Sequence, residues 1–243
     1  MRLTLFQTGT MPCPYLEGKR ESRVFAKLDR RTAKQAYDNL NRAGFRRSQA
    51  VVYRPHCPAC DACVPVRIAA NHFRFSRSFR RIIRRNGDIG VSMRTASATE
   101  EQYRLFKAYL DARHEDGDMA AMDWAEYRDM VEKSPVHSTI VEFRNPEGRL
   151  VAAKLVDCLD DGFSAVYSFF DPALEKRSLG TYTILWLVDF ARRERLPYIY
   201  LGYWIADSPR MSYKARFQPL ERYTQEGWVP LSRPQRTTRK EHE

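Results

Sequence analysis

Long apolar runs are what this sequence most plainly lacks. No stretch approaches the roughly eighteen residues that a membrane-spanning helix needs, the best candidate being the short segment 182–190. Residues 1–7 carry one Arg and, after Met1, three large apolar side chains, too few for the apolar centre of a secretory signal, so a cytoplasmic protein is expected. Histidine is scarce, and His72, His114 and His137 stand at no metal-binding spacing, which makes a structural role the expectation for each. A glycine-rich phosphate loop is also missing: Gly18-Lys19-Arg20 has neither the glycine-rich lead nor the following Ser or Thr and reads as a turn. There is no internal repeat and no long low-complexity tract. With 43% hydrophobic and 29% charged residues, wholesale disorder, a collagen-like chain and a membrane channel are excluded.

What is present is size, positive charge and clustered cysteine. A chain of 243 residues can bury one or two cores without disulfide staples. Lys plus Arg number 41 against 30 for Asp plus Glu, a formal net charge of +11, and such an excess draws a protein to polyanions: nucleic acid, an anionic membrane surface or acidic protein segments. The charge is concentrated. Between residues 67 and 85 lie seven arginines and no acid, interleaved with Phe73, Phe75 and Phe79. Such a run is often a solvated helix face, but arginines that cannot pair locally are relieved best by phosphates. The phenylalanines could stack on unpaired bases or enter the core.

Five cysteines in a reducing compartment speak of metal or redox chemistry before disulfides. Cys57-x-x-Cys60-x-x-Cys63 brings three thiols together, and either Cys13, within Pro12-Cys13-Pro14, or His56 could supply a fourth ligand to zinc or an iron–sulfur cluster. The alternative is a set of reduced thiols in a structural loop.

Apolar periodicity predicts a helix over 29–43 with Gly44 as its C-terminal cap, and strands over 50–53 and 64–68 that flank the cysteines. A strand over 89–93 closes a first module, 1–95, cysteine-rich and basic. The second, 96–232, opens on the capping-box pair Thr99 and Gln102, which leads a helix through Tyr103, Phe106, Leu110 and Arg113. A helix over 123–133 follows, then strands over 138–143, 150–159 and 163–170, the last two joined as a hairpin by Asp160-Asp161-Gly162. A helix over 181–195 crosses to a strand over 198–205. Mostly antiparallel strands followed by one crossover predict an α+β fold. The polar tail 233–243 reads as disordered. In Arg177-Ser178-Leu179-Gly180-Thr181 a helix begins just after a strand, so its free N–H groups could receive an anion or a polarised carbonyl.

Several blocks together resemble one family. Cys13-Pro14-Tyr15-Leu16, Gly44-Phe45-Arg46-Arg47-Ser48 and the run from Tyr53 through the cysteines to Val64-Pro65-Val66-Arg67-Ile68 resemble the N-terminal half of the arginyl-tRNA:protein transferases. Ala165-Val166-Tyr167-Ser168-Phe169-Phe170-Asp171-Pro172, Ser178-Leu179-Gly180-Thr181-Tyr182, Tyr200-Leu201-Gly202-Tyr203-Trp204-Ile205 and Met211-x-Tyr213-Lys214 resemble the C-terminal half. Chain length and the Tyr-Trp-Ile variant favour the compact bacterial, leucine-transferring branch over the longer eukaryotic enzymes.

The resemblance implies transfer of an amino acid from aminoacyl-tRNA to the α-amino group of a protein beginning with Asp or Glu, marking it for degradation. It also implies a C-terminal acetyltransferase-like (GNAT-like) domain, in which central strands splay and a backbone N–H, here near Phe169 and Phe170, faces the acyl carbonyl. The segment 177–182 lacks the second glycine of that superfamily's pyrophosphate loop, which argues against coenzyme A, and Ser208 stands where relatives carry Cys, which argues against a thiol nucleophile there.

An aminoacyl ester is already activated, so no cofactor is required beyond the charged tRNA itself. The enzyme must hold amine and ester together, stabilise an oxyanion and take up a proton. Asp171 is the candidate proton acceptor. Arg67, Arg210 and Lys214 are the candidate cations for an acidic N-terminal side chain, with Arg177, Gly180 and Tyr203 as further substrate contacts. Arg77, Arg80, Arg81, Arg84 and Arg85 are the candidate tRNA contacts. Competing expectations are an arginyl donor, a non-catalytic RNA-binding metal module and a coenzyme A-dependent N-acetyltransferase.

Overall fold

The structure, a computed structural model, describes residues 3–113 and 119–232. His114 and the tail 233–243 lie outside the described residues.

A mixed α/β architecture is built on one eight-stranded sheet. In spatial order its strands are Gly227–Pro230, Leu220–Thr224, Val64–Ala69, Tyr198–Trp204, Gly162–Phe170, Leu150–Leu159, Ser138–Arg144 and Gly90–Thr95. Every neighbouring pair is antiparallel except Gly162–Phe170 with Tyr198–Trp204. That parallel pair arises because the helix Leu179–Arg193 carries the chain back between them. Val64–Ala69 and Gly90–Thr95, on the N-terminal side of the expected 95/96 division, are both strands of this sheet. A smaller sheet has the order Phe6–Gln7, Arg23–Lys27, Val51–Pro55 and Arg46–Ser48. The cysteine knuckle joins the two sheets, since it runs from the end of Val51–Pro55 to the start of Val64–Ala69.

Both faces of the large sheet are covered, which is why Leu150–Leu159 reads as a nearly unbroken apolar run rather than an alternating one. On one face Val151, Ala152, Phe143 and Phe163 meet Leu185, Val188 and Ala191 of Leu179–Arg193 and Phe79 and Ile82 of the helix Arg77–Arg85. On the other, Ile140, Ala153 and Phe169 meet Phe106 and Leu110 of Glu100–Arg113 and Tyr127 and Val131 of Trp124–Glu132. A third cluster seats Ala33, Ala36 and Tyr37 of the helix Ala33–Arg42 against Leu159 and Tyr200.

Local signals account for most element ends. Thr99 and Gln102 exchange side-chain and backbone hydrogen bonds at 3.2 and 3.1 Å, the reciprocal cap expected for that helix. Asp123 and Glu126 do the same for the next, at 2.8 and 2.9 Å. Gly44, at φ +81°, ends Ala33–Arg42 in a conformation that glycine adopts freely.

Two polar residues interrupt Leu150–Leu159 at buried positions. Asp157 is held by Arg47 of the small sheet, Nη2 to Oδ1 at 2.5 Å and Nε to Oδ2 at 2.8 Å, with Ser138 Oγ donating to Oδ1 at 2.6 Å. This pair ties the two sheets together. Lys154 is the other, and among the described residues it has no such partner.

Candidate active site

Gly162–Phe170 and Tyr198–Trp204 are paired over only Gly162↔Tyr198, Phe163↔Ile199 and Ser164↔Tyr200, and beyond Ser164 they diverge. Each strand carries an extra residue where the fork opens. The register against Leu150–Leu159 jumps from Leu155↔Tyr167 to Val156↔Ala165, leaving Val166 unpaired. Against Val64–Ala69 it jumps from Tyr200↔Arg67 to Gly202↔Val66, leaving Leu201 unpaired. Such bulges bend a strand and increase its twist, so paired bulges at one level splay the two strands. Arg46 fills the crotch of the fork, donating to Ser164 Oγ at 2.8 Å and to the Ala165 carbonyl. Gly202, at φ +75°, is required there, because a Cβ would lie 2.8 Å from Arg46 Nε.

The fork opens into two clefts that share Tyr109, Ser168, Arg210 and Tyr213. The inner cleft, about 540 Å³, is lined by five cations, Arg23, Arg46, Lys154, Arg210 and Lys214, and among the described residues by no Asp or Glu. Burial, with Arg46 nearby, pulls the Lys154 ammonium down to about 8. Burial together with Arg46 and Lys154 pulls Lys214 down to about 7. Lys214 Nζ donates to the Tyr203 carbonyl at 2.5 Å. The Tyr203 hydroxyl donates to the carbonyls of Tyr53 and Gly44 at 3.0 and 3.2 Å, which clamps the small sheet to this wall.

The outer cleft, about 560 Å³, runs along the start of Leu179–Arg193 and is lined by Arg113, Arg210 and Arg216, with Glu175 its one carboxylate among the described residues. The first N–H groups of that helix have no intrahelical acceptor. Gly180 sits against Phe170, where a Cβ would come within 2.9 Å of the ring. Phe170 in turn lies 4.9 Å from the Tyr109 ring and 5.2 Å from the Arg113 guanidinium.

The expected site residues therefore divide. Gly180, Phe170 and Arg210 line the outer cleft; Tyr203, Lys214 and again Arg210 line the inner one. The Phe169 side chain is in the core, packed on Phe106 and Tyr127. Asp171 is buried outside both clefts, accepting from the Ala173 N–H at 2.9 Å and from Arg149 at 2.6 Å. Arg67 pairs with Glu221 at 2.6 Å and lies between Tyr198 and Trp228, 3.5 and 4.4 Å from their centroids. Arg177 grips Asp88 with two bonds of 2.9 and 2.8 Å. Ser208 is buried and accepts the N–H groups of Met211 and Ser212 on its carbonyl.

Phe79 and Ile82 face inward from Arg77–Arg85, and Arg77, Arg80, Arg81, Arg84 and Arg85 face solvent. Phe79 stacks on Phe217 at 5.3 Å, and Arg216, which lines the outer cleft, lies 5.9 Å from the Phe79 ring. The arginine helix thus meets the wall of the outer cleft through Phe79 and Arg216, and none of its five exposed arginines lines either cleft.

Sequence reasoning gave no role to Arg46, although it stands within Gly44-Phe45-Arg46-Arg47-Ser48, nor to Lys154, Arg23 or Arg113. Lys154 did leave a signal: it is the one cation within the apolar run 150–159.

Cys13, Cys57, Cys60 and Cys63 line one small cavity of about 40 Å³, together with Glu21 and Asp61. Burial and the three neighbouring cysteines push the Cys63 thiol up to about 12. His56 is exposed and is not part of that wall. Among the described residues no three His, Cys, Asp or Glu side chains are already drawn to one point as a metal site would draw them. Cys158 lies apart, against the large core cluster.

Two family descriptions match this chain: "Arginine-tRNA-protein transferase, C terminus" over residues 101–224 and "Arginine-tRNA-protein transferase, N terminus" over 11–81. Curated relatives named aspartate/glutamate leucyltransferase include one from Paramagnetospirillum magneticum, 51% identical across 92% of this chain and 91% of its own. Another, from Rhodospirillum rubrum, is 52% identical across 92% of each. The solved structure of FemX superposes with a TM-score of 0.47 at 8% identity, over 77% of this chain and 64% of its own, too loosely to carry an argument. The matches in sequence define an aminoacyltransferase. The chain belongs to the arginine-tRNA-protein transferase family.

Proposed function

We propose that this protein transfers leucine from leucyl-tRNA to the α-amino group of proteins whose first residue is Asp or Glu, marking them for degradation. The observation that carries this reading is the inner cleft: five lining cations and, among the described residues, no carboxylate at the opening of a forked sheet. An acidic side chain is attracted there, and the same positive field disfavours the charged form of an α-ammonium beside it. The acceptor amine is thereby delivered in its nucleophilic form. It attacks the ester carbonyl carbon; the C–N bond forms, the bond to the ribose oxygen breaks, and the proton given up by the nitrogen goes to the departing hydroxyl or to water. Holding amine and ester in adjoining clefts supplies proximity, and backbone N–H groups near Phe169 and Phe170 would stabilise the oxyanion. The outer cleft would hold the acceptor end of the tRNA, with Arg113, Arg216 and the helix N-terminus on its phosphates and the exposed arginines of Arg77–Arg85 continuing the track.

The forked sheet also supports a GNAT-like reading of the fold. The four thiols in one cavity suit zinc or an iron–sulfur cluster, whose part would be to fasten residue 13 to the knuckle rather than to act on the ester. Charged tRNA as the donor fits a cytoplasmic setting, and no helix among the described residues is long and apolar enough to cross a membrane.

The test is incubation with radiolabelled Leu-tRNA or Arg-tRNA and peptides beginning with Asp, Glu or Ala. Label from leucine in the Asp and Glu peptides is expected. Equal labelling of Ala peptides overturns acidic selection, preference for Arg-tRNA overturns the donor, and binding of tRNA without transfer favours a non-catalytic module. Consumption of acetyl-coenzyme A in place of the tRNA would make the protein an N-acetyltransferase.

A further inference from the structure

Three of the cations in the inner cleft are almost wholly withdrawn from water: Arg46 is 9% exposed, Lys154 3% and Lys214 7%. They stand close enough to perturb one another, and none has a carboxylate partner among the described residues. Arg46 is held by Ser164 and the Ala165 carbonyl, and Lys214 by the Tyr203 carbonyl and Met211 Sδ at 3.3 Å. Lys154 Nζ has neither a hydrogen bond nor an ion pair among the described residues. Burying an ammonium without an acceptor is among the more expensive arrangements a protein can hold, and two further cations beside it add repulsion. An anion placed among the three would offset part of that penalty.

The anion's chemistry follows from where the three side chains sit. Arg46 occupies the closed end of the fork, between Ser164 and Ala165 of one strand and Gly202 of the other, so the seat admits the end of a side chain. A phosphodiester, continued by ribose on both sides, is better served by the outer cleft with its own arginines and helix N-terminus. Of the three, Lys154 is the cation left free to turn toward a guest.

Resting on the transferase reading above, we propose that Arg46, Lys154 and Lys214 form the seat for the side-chain carboxylate of the acceptor's first residue. Lys154 is the residue in it that tells Asp from Asn and Glu from Gln. The amide isosteres bring no charge and would leave the three cations uncompensated.

The experiment uses the full-length protein, Leu-tRNA and peptides that differ only in beginning with Asp, Asn, Glu or Gln. In Lys154→Met, kcat/KM for the Asp and Glu peptides should fall about a hundredfold, mainly through KM, and the Asp-to-Asn ratio should collapse toward one. Lys154→Arg should restore part of that ratio. Without tRNA, the Asp peptide should raise the melting temperature of the unsubstituted protein and not that of Lys154→Met. A folded Lys154→Met that keeps the Asp-to-Asn ratio overturns the proposal, as does one that loses Leu-tRNA binding instead, which would make the seat a phosphate site. If Lys154→Met fails to fold, Lys154→Gln and Lys214→Met judge the seat by the same ratio. If the unsubstituted protein labels no peptide, the transferase reading fails, and the melting shift with Asp over Asn peptide still decides whether the seat exists.

Discussion

Asp157 and Lys154 lie three positions apart on one strand, both buried, yet among the described residues one charge is satisfied and the other is not. Asp157 accepts two hydrogen bonds from Arg47 and one from Ser138. Lys154 faces a cleft lined by four other cations, two of them buried with it. A buried charge whose partner the fold supplies is part of what holds the sheets together; a buried charge whose partner the fold omits points to something that arrives from outside. The same contrast separates Arg67 and Arg177, paired with Glu221 and Asp88, from the exposed arginines of Arg77–Arg85.

The largest effect should come from breaking the satisfied pair. Arg47→Met leaves the Asp157 carboxylate buried without its guanidinium and should cost about 3–5 kcal/mol in urea unfolding. Lys154→Met removes a charge that has no partner among the described residues, so its unfolding free energy should match or exceed that of the unsubstituted protein. Equal losses from the two substitutions would erase the distinction between them.

Four thiols gathered in one cavity extend the comparison to the N-terminal module. Anaerobic purification followed by elemental analysis should find zinc or iron at near-stoichiometric amounts, and chelation should lower the melting temperature, because a metal that binds only the folded state stabilises it. Absence of both metals with no change on chelation would leave Cys13, Cys57, Cys60 and Cys63 as structural thiols and would leave the ester chemistry untouched.

Much of this architecture was legible. The strand expected over 150–159 is observed as Leu150–Leu159, and the two-residue turn Asp160-Asp161 sets the hairpin that follows. The helix expected from residue 29 begins at Ala33, because residues 30–32 form a turn. Neither the hairpin of Leu220–Thr224 with Gly227–Pro230 nor the short strands Phe6–Gln7 and Arg20–Glu21 was read from the sequence. They are brief, and Leu220–Thr224 joins the sheet through Val64–Ala69, far earlier in the chain. The site shows the same boundary. Lys214 and Arg210 could be picked out as cations inside recognisable blocks, but that Arg67 is already neutralised depends on Glu221, 154 positions away. Sequence shows which charges exist, and only the fold shows which remain unmatched.

Exposed arginines test the comparison on a surface, where solvent already compensates the charge. Replacing Arg80 and Arg81 by Gln should leave stability nearly unchanged and weaken tRNA binding. The salt dependence should flatten by about 0.7 to 0.9 in the logarithmic slope for each phosphate no longer neutralised. Titrating tRNA at several salt concentrations measures the slope directly. If it stays constant after both are removed, these arginines are only a solvated helix face.

The smallest effect is a difference between two pH curves. Burial lowers the folded-state pKa of Lys154 to about 8, below the value of about 10.4 that a lysine has in an unfolded chain. Between those values the unfolded state binds more protons than the folded one, so this residue's contribution makes stability rise with pH across that window, and below about 8 its full penalty is present. Cys63, raised by burial, works in the opposite sense: above the ordinary thiol range the folded state keeps a proton that the unfolded state has lost. The unsubstituted curve alone therefore mixes both signs. Subtracting the curve of Lys154→Met removes the thiol's share and leaves the lysine together with the part of the Lys214 shift that it causes, and the difference should climb from about pH 7 toward pH 10. An Asp-starting peptide should flatten that climb, since a carboxylate beside the ammonium raises its pKa back toward the ordinary lysine range. A difference curve that is flat from the outset would mean that Lys154 has a partner of its own in the folded protein, and the contrast with Asp157 would disappear.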